Sequence, residues 1–253
     1  MNWRLIEQQP YSAAMNMAID EALCESVAKE KSLPAIRFYK WKNNSVSIGS
    51  NQNQREVNID LCKKNNVEVV RRITGGRAVY HDKRDFTYSV IAPIKIFDGD
   101  INNAYSEICS WIINSLNEIG IKSELKNKND IMVKNKKISG NAAKLFDNGI
   151  YLQHGTLVYD VDFSLMPRIL GISEKTARDK IASVLQHKQI NQAKAYGILK
   201  NGFIENKEIK IEKLSKEELK RAEELSRTDY SSIEADKNIL LRNKGACYIL
   251  SGN

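Results

Sequence analysis

Val69-Val-Arg-Arg-Ile-Thr-Gly-Gly-Arg-Ala-Val-Tyr-His-Asp82 is the segment on which the fold of this chain turns. A β-branched run ends in paired arginines, passes through two adjacent glycines and resumes as an apolar run closing on His81-Asp82. That pattern predicts strand, turn, strand. Two glycines let backbone N–H groups point at a ligand without side-chain obstruction, which suits a phosphate. Arg71, Arg72 and Arg77 bracket the turn with guanidinium groups that can hold oxyanions in bidentate fashion. Neither GxxxxGK[ST] nor GxGxxG occurs, so this is not a Walker or dinucleotide loop. Alone, the segment reads equally well as a hairpin turn carrying exposed arginines.

Working outward, residues 12–30 repeat Met15, Ala18, Ile19, Ala22, Leu23 and Val27 at helical spacing, with Ser12 placed to cap the start. Strands are predicted at Ala35–Trp41, Ser45–Gly49, Val67–Thr74 and Phe86–Ala92. A second amphipathic helix is predicted from Asn103 to Ile119. Asp130–Val133, Lys137–Ser139 and Ile150–Tyr159 then read as a meander of hairpins joined by Lys- and Asn-rich turns. From Asp162 the pattern is helical again, and Ser215-Lys-Glu-Glu218 is a capping box. Strands followed by helices without strict alternation predict an α+β fold rather than a doubly wound sheet. The expected division is a catalytic domain over 1–190 and a small extension over 191–253, read as irregular strand plus one helix.

With 253 residues, 42% hydrophobic and 28% charged, the chain can bury a sizeable core. Its apolar runs are too short to span a bilayer and its amino terminus lacks the apolar core of a signal peptide, so a cytoplasmic protein with no membrane partner is expected. A net charge of +8 calls for an anionic partner: nucleotide, nucleic acid or acidic protein. Cys24, Cys62, Cys109 and Cys247 are widely separated, which excludes the familiar zinc spacings and a disulfide framework. No metal ligands are assigned.

Two further segments carry chemistry. In Asn129-Asp130-Ile-Met-Val-Lys-Asn-Lys-Lys137-Ile-Ser-Gly140-Asn-Ala-Ala143, alternation would put Lys137 and Ser139 on one face and Ile138 on the other. An inward lysine must meet a carboxylate or a phosphate, and Gly140 permits close approach of a ligand to the backbone, although on these residues alone Lys137 reads more simply as one more surface lysine. In Tyr151-Leu-Gln-His-Gly-Thr-Leu157, His154 and Gly155 interrupt a strongly β run, and the glycine again marks a close approach.

Together these segments resemble the lipoate–protein ligase A branch of the biotin/lipoate protein ligase superfamily, in a short archaeal-type form. Arg71 to Asp82 is similar to the family's Arg-Arg-x-[Ser/Thr]-Gly-Gly-Gly-Ala-Val-x-His-Asp signature. Asn129-Asp130, Lys137-Ile-Ser-Gly140, His154-Gly-Thr-Leu157 and the helix Met15-Asn-Met-Ala-Ile-Asp-Glu21 resemble further family elements in the same order. Arg178-Asp-Lys-Ile-Ala182 is similar to the segment that follows the core in archaeal-type ligases.

The resemblance implies a mixed, largely antiparallel sheet flanked by helices, as in biotin ligases and class II synthetase-like domains. It implies that ATP, with Mg²⁺, activates lipoate as lipoyl-AMP, and that a lysine of a lipoyl-carrier domain then takes the acyl group. That carrier would be a 2-oxoacid dehydrogenase acyltransferase subunit or a glycine-cleavage carrier protein. By position, Lys137 and Asp130 would be catalytic. Arg72, Gly75, Gly76, Arg77, Ala78, Tyr80, His81, Asn129 and Lys137 would hold ATP or lipoyl-AMP. Lys137, Gly140 and His154 would hold lipoate.

Arg77 departs from the ligase signature, whose third glycine it replaces. Gly-Gly-Arg-Ala-Val is the form typical of octanoyltransferases of the same superfamily, which take an acyl chain from a carrier protein without ATP through a cysteine thioester. Those enzymes place the cysteine in the stretch matching Ser123–Asn129 or near Met166–Gly171, and neither window contains one here. The ligase is therefore expected, with octanoyl transfer as the alternative. Bacterial ligases also carry an accessory domain that the residues after Asn191 do not match, so a separate accessory subunit is a possible partner. A non-enzymatic nucleic-acid-binding protein is a distant rival, because the basic residues sit among glycines and apolar strands rather than on an aromatic stacking platform.

Overall fold

The computed structural model describes residues 2–231. In chain order the first elements are β1 (Asn2–Ile6), β2 (Pro10–Tyr11), α1 (Ala13–Ala28), β3 (Ala35–Trp41), β4 (Ser45–Ile48), α2 (Ile59–Lys64), β5 (Glu68–Arg71), β6 (Val79–His81) and β7 (Phe86–Pro93). Next come α3 (Ile101–Glu118), β8 (Glu124–Lys126), β9 (Asp130–Val133), β10 (Lys136–Leu145) and β11 (Ile150–Leu157). The last are α4 (Met166–Ile169), α5 (Glu174–Lys180), α6 (Val184–His187), α7 (Gln192–Ile204), β12 (Glu208–Ile211) and α8 (Lys216–Thr228).

A nine-stranded sheet runs β12-β1-β3-β7-β11-β10-β9-β8, with β2 paired to β3 off that path. Pairing is parallel where β1 meets β12 and β3, and antiparallel from β3 through β8. This is the α+β, mainly antiparallel architecture predicted from the sequence. Adjacent residues such as Leu5 and Ile6, Phe38 and Tyr39, or Val90 and Ile91 point into two different cores. Helices α3 and α7 cover one face, and α1 and α8 the other. Strands β3 and β7 are therefore buried along almost their whole length, their polar members Arg37, Thr87 and Ser89 included. Helix α1 begins as expected, with the Ser12 hydroxyl accepting from the Met15 N–H at 3.3 Å.

A second sheet, β5-β4-β6, packs with α2, α4 and α5 around a third apolar cluster. Its order corrects the hairpin reading of the Gly75-Gly76 turn. Strands β5 and β6 flank β4 on opposite sides, so residues 72–78 cross over the end of β4.

The segment after residue 190 holds more helix than its sequence suggested. Asn191 caps α7 through its side chain, and Leu199 and Phe203 join the α3 core. Gly197 and Gly202 weaken the helical signal in that stretch. Gly202 is required by packing: a Cβ there would collide with Ser115 Oγ and lie 2.8 Å from the Trp111 carbonyl of α3. Helix α8 begins at the expected Ser215–Glu218 capping box and puts Ala222 and Leu225 against α1. The tail Ile239–Leu250, with Cys247, lies outside the described residues. Among those described, no helix is long and apolar enough to cross a membrane.

Candidate active site

On the α1 side of the large sheet a cavity of about 270 Å³ lies between the two sheets. Tyr39, Trp41, Thr87, His154 and Thr156 enter it from the large sheet. Ser47, Arg72, Gly75, Gly76, Arg77, Ala78 and His81 enter it from the small sheet and its crossover. Asn129, Asp130, Lys137 and Gly140 complete the wall. A second cavity of about 160 Å³ shares Ala78, Val79, Lys137, Gly140 and Thr156 with the first. The rest of its wall combines apolar Val158, Val161, Met166, Leu170 and Ile181 with Tyr80 and four aspartates, Asp82, Asp85, Asp160 and Asp162. The fold thus brings every residue to which the resemblance gives a role to one or both cavities, Tyr80 only to the second, whereas Arg71, also read as an oxyanion holder, reaches neither.

Lys137 stands at the junction. Its ammonium meets Asp130 Oδ1 at 2.6 Å, and the two side chains are 39% and 20% exposed. The pairing of β9 with β10 slips between Lys137 and Ser139. Such a bulge re-aims side chains. It overturns the expected alternation: Gly140, not Ser139, shares the cavity face with Lys137, while Ser139 is fully buried. The missing Cβ of Gly140 is also explained. A methyl there would lie 2.6 Å from Lys137 Cε and 2.8 Å from Nζ, so the glycine makes room for this lysine to fold across its own strand.

Arg72 is buried under the crossover, and its guanidinium is committed to the protein. Nε donates to Thr74 Oγ1 at 3.2 Å, Nη1 to the Ser47 carbonyl and hydroxyl, and Nη2 to the carbonyls of Gly75 at 2.6 Å and Arg77 at 2.9 Å. These contacts use its five N–H donors, so Arg72 shapes the turn and offers its charge rather than free donors. Burial, with Arg71 nearby, lowers its pKa to about 10. Arg71 likewise turns inward, donating to the carbonyls of Gly49 and Gln52 at 2.8 Å. Arg77 points to solvent, 89% exposed, with Glu56 at 3.6 Å.

The histidines are held by directed hydrogen bonds. His81 Nε2 meets Ser47 Oγ at 2.8 Å and Nδ1 meets Thr156 Oγ1 at 3.1 Å, while the ring stacks on Trp41 at 4.2 Å. Burial, then Arg72 and His154, holds the His81 pKa well below 6.5. His154 bridges Thr74 Oγ1 at 2.7 Å and Asp20 Oδ2 at 3.2 Å. Asp20 is anchored in turn by Arg37 at 2.6 Å and Ser89 at 2.7 Å. Burial opposes its charge, but Arg37 and His154 outweigh it and the carboxyl pKa falls.

A stability prediction follows for His81. Its depressed pKa means that the unfolded chain takes up this proton first as pH drops below 6.5, so the stability present above that pH is lost below it. Between pH 7.5 and 5.5 the wild type should lose about 1 kcal/mol more than His81→Gln, read by urea unfolding. Equal losses would show His81 to be protonated in the folded protein.

Several residues that build the site were not singled out from the sequence: Asn16, Asp20, Arg37, Tyr39, Trp41, Ser47, Gly49 and Asn141. Asn16 and Asp20 did leave a trace, as polar residues one turn apart in the Met15–Glu21 stretch of the first helix. Among the described residues the cysteines are Cys24, Cys62 and Cys109, all buried and absent from both cavity walls. Burial pushes the Cys62 thiol up to about 11, and the Cys109 thiol, despite its contact with Gln153, up to about 12.

Comparison with known proteins agrees with this geometry. The chain is 34% identical to octanoyltransferase LipM of Clostridioides difficile, over 66% of this chain and 69% of that one. It is 31% identical to LipM of Bacillus subtilis, over 92% and 96%. A Mycoplasma pneumoniae protein named probable lipoate-protein ligase A is 32% identical, over 70% of this chain and 51% of its own. Among solved structures, a Thermoplasma acidophilum lipoate protein ligase with bound lipoic acid superposes with TM-score 0.82 at 30% identity, covering 93% and 99%. A bi-partite lipoate protein ligase of that organism, studied with its E2 lipoyl domain, gives 0.82 at 28%, covering 95% and 98%. A lipoate-protein ligase A bound with ATP gives 0.83 at 29%, covering 95% and 100%. Residues 12–211 match the lipoyl protein ligase A/B catalytic domain, and the chain belongs to that family of acyl-transferring enzymes.

Proposed function

We propose that this chain is an ATP-dependent lipoate–protein ligase. The observation that carries the proposal is Lys137 at the junction of two cavities, neither of which is lined by a thiol. With no thiol at either cavity among the described residues to carry the acyl group, activation of the carboxylate as an acyl phosphate anhydride is the route this reading takes. The lipoate carboxylate oxygen attacks the α-phosphorus of ATP, the bond to the β-phosphate breaks and pyrophosphate leaves. The Lys137 ammonium offsets the negative charge that gathers between carboxylate and phosphate. The amine of the carrier lysine then attacks the acyl carbon, AMP leaves, and the amine gives up a proton, for which Asp130 is the nearest carboxylate to Lys137.

The second cavity suits a flat adenine, and the larger one, between Tyr39, Trp41 and His154, suits the lipoyl chain. The turn at Gly75–Ala78 then faces the phosphates. No three His, Cys, Asp or Glu side chains among the described residues converge to hold a metal. The expected Mg²⁺ would therefore be held chiefly by the substrate phosphates, as this ion often is. The solved relatives with ATP, lipoic acid and a lipoyl domain support these substrates. A lipoyl domain is the acceptor on this reading, a cytoplasmic location goes with the ATP requirement, and an accessory subunit, as in the bi-partite relative, is the partner to add if the chain alone is inactive.

A second reading is favoured by the curated relatives, several of which are named octanoyltransferase LipM. Under it the chain takes octanoate from a carrier protein without ATP, and it needs an accessible thiolate. Cys247 alone among the four cysteines lies outside the described residues. Purified protein should be incubated with a lipoyl domain and either ATP, Mg²⁺ and lipoate, or octanoyl-carrier protein alone, and the acceptor weighed intact. A lipoyl gain that requires ATP is expected, and Cys247→Ser should leave its rate unchanged within twofold. An ATP-independent octanoyl gain abolished by Cys247→Ser would establish the transferase instead.

A further inference from the structure

Asn127, Asn129 and Asn141 form the edge of the larger cavity, and the side chains that fix them lie behind it in the core. Asn127 and Lys128 both adopt left-handed backbone conformations, φ 51° and 68°, in the turn that leads into Asn129 and Asp130. Neighbouring non-glycine residues in that region are strained and persist only where the surroundings hold them. What holds this turn is Asn141. Its backbone N–H and its Nδ2 both donate to the Asn129 carbonyl, at 3.1 and 3.0 Å, and Asn129 Nδ2 donates back to the Asn141 carbonyl at 3.1 Å.

The Asn141 side chain is itself fixed from the core. Tyr88 Oη donates to Asn141 Oδ1 at 2.7 Å, Gln153 Nε2 donates to Tyr88 Oη at 3.1 Å, and Tyr151 Oη donates to Gln153 Oε1 at 2.7 Å. Tyr88, Gln153 and Tyr151 are buried and none lines either cavity. Gly155 completes the arrangement: a Cβ there would overlap Asn141 Oδ1 and come within 2.8 Å of the Tyr88 ring. The close approach that this glycine announces is thus made by the protein's own side chains.

We propose that Asn141 is a positioning residue for the reacting centre, locked by Tyr88 and by the space at Gly155, which clamps the 127–129 turn so that Asp130 meets Lys137. Asp130 follows directly on the clamped residue and pairs with Gly140 across the strands, one position before Asn141. Loss of the clamp would leave the cavity between Tyr39, Trp41 and His154 intact while freeing the Asp130–Lys137 pair. The consequence for turnover rests on the ligase reading, whereas the clamp itself does not.

Two measurements separate these. In hydrogen–deuterium exchange, Asn141→Ala and Tyr88→Phe should each raise uptake in the peptide spanning residues 126–133, with uptake across α1 unchanged. In steady-state kinetics, Asn141→Ala should lower kcat by about 10²-fold, the scale of a small misplacement of reacting groups, with the KM for lipoate within twofold. Tyr88→Phe should lower kcat by a smaller factor in the same direction. Unchanged uptake over 126–133 in both variants overturns the clamp. Raised uptake with wild-type kcat overturns the positioning role. If Asn141→Ala does not fold, Tyr88→Phe decides both points. If the wild type transfers no acyl group under any condition, the exchange data still decide the clamp, and it is the ligase reading that fails.

Discussion

Lys137→Ala is expected to lower lipoate-dependent ATP–pyrophosphate exchange by about 10²–10³-fold, the scale for removing one preorganised group that meets developing charge. Stability should hardly move. The Lys137–Asp130 pair is partly open to solvent, 39% and 20% exposed, and such pairs contribute only about 0–1 kcal/mol. A large kinetic loss on an unaltered melting curve is therefore the signature of this role. Lys137→Arg should not restore exchange. The ammonium lies across Gly140 with Cε and Nζ in the space a Cβ would fill, and a planar guanidinium is a different shape with different donors. Exchange near the wild-type rate in Lys137→Ala would remove the lysine from the reaction and with it the main support for the ligase. Retained ATP-independent octanoyl transfer in the same variant would point to the thiol chemistry of the second reading.

Much of this arrangement could be read before the structure. The strands Ala35–Trp41 and Asp130–Val133 were placed to the residue, because a β-branched or aromatic run ending in turn residues leaves little freedom in its bounds. The pairing of one residue with another is a different matter, since it depends on partners far along the chain. The alternation of Lys137 with Ser139 failed because a bulge is invisible in a single strand. The Gly75-Gly76 turn read as a hairpin because nothing local shows that β4 lies between its two arms. Gly140 and Gly155 do mark close approaches, but composition does not say who approaches. In both cases it is a side chain of the same chain: Lys137 in one, Asn141 and Tyr88 in the other. Arg72 shows the same limit from the other side. Its type suited a phosphate, yet its donors are spent on the carbonyls of the crossover, a fact that only the folded turn contains.

Gly49→Ala should be the most damaging small substitution outside the reacting groups. Gly49 follows β4, where residues 72–78 pass over the strand end, and a Cβ would overlap the Gly76 carbonyl oxygen and lie 2.8 Å from its carbon. Backbone is met on the far side of the contact, so no rotamer change relieves it and the crossover itself must move. Arg72 then loses its grip on the Gly75 and Arg77 carbonyls, which are the bonds that give the turn its shape. Overpacking of this kind costs about 1–3 kcal/mol, and a contact against rigid backbone belongs at the upper end. On the ligase reading the kinetic effect should be larger, with adenylate formation falling by about 10²-fold as the crossover shifts. Gly197→Ala is the matched control. It lies within α7 with nothing in the path of a Cβ, so the same substitution should leave activity unchanged and add about 0.5–1 kcal/mol of stability. If Gly49→Ala melted and turned over like the wild type, the crossover would be free to move without consequence. Arg72 would then be holding a shape that the reaction does not need, and the anion-facing role of residues 75–78 would have to be given up.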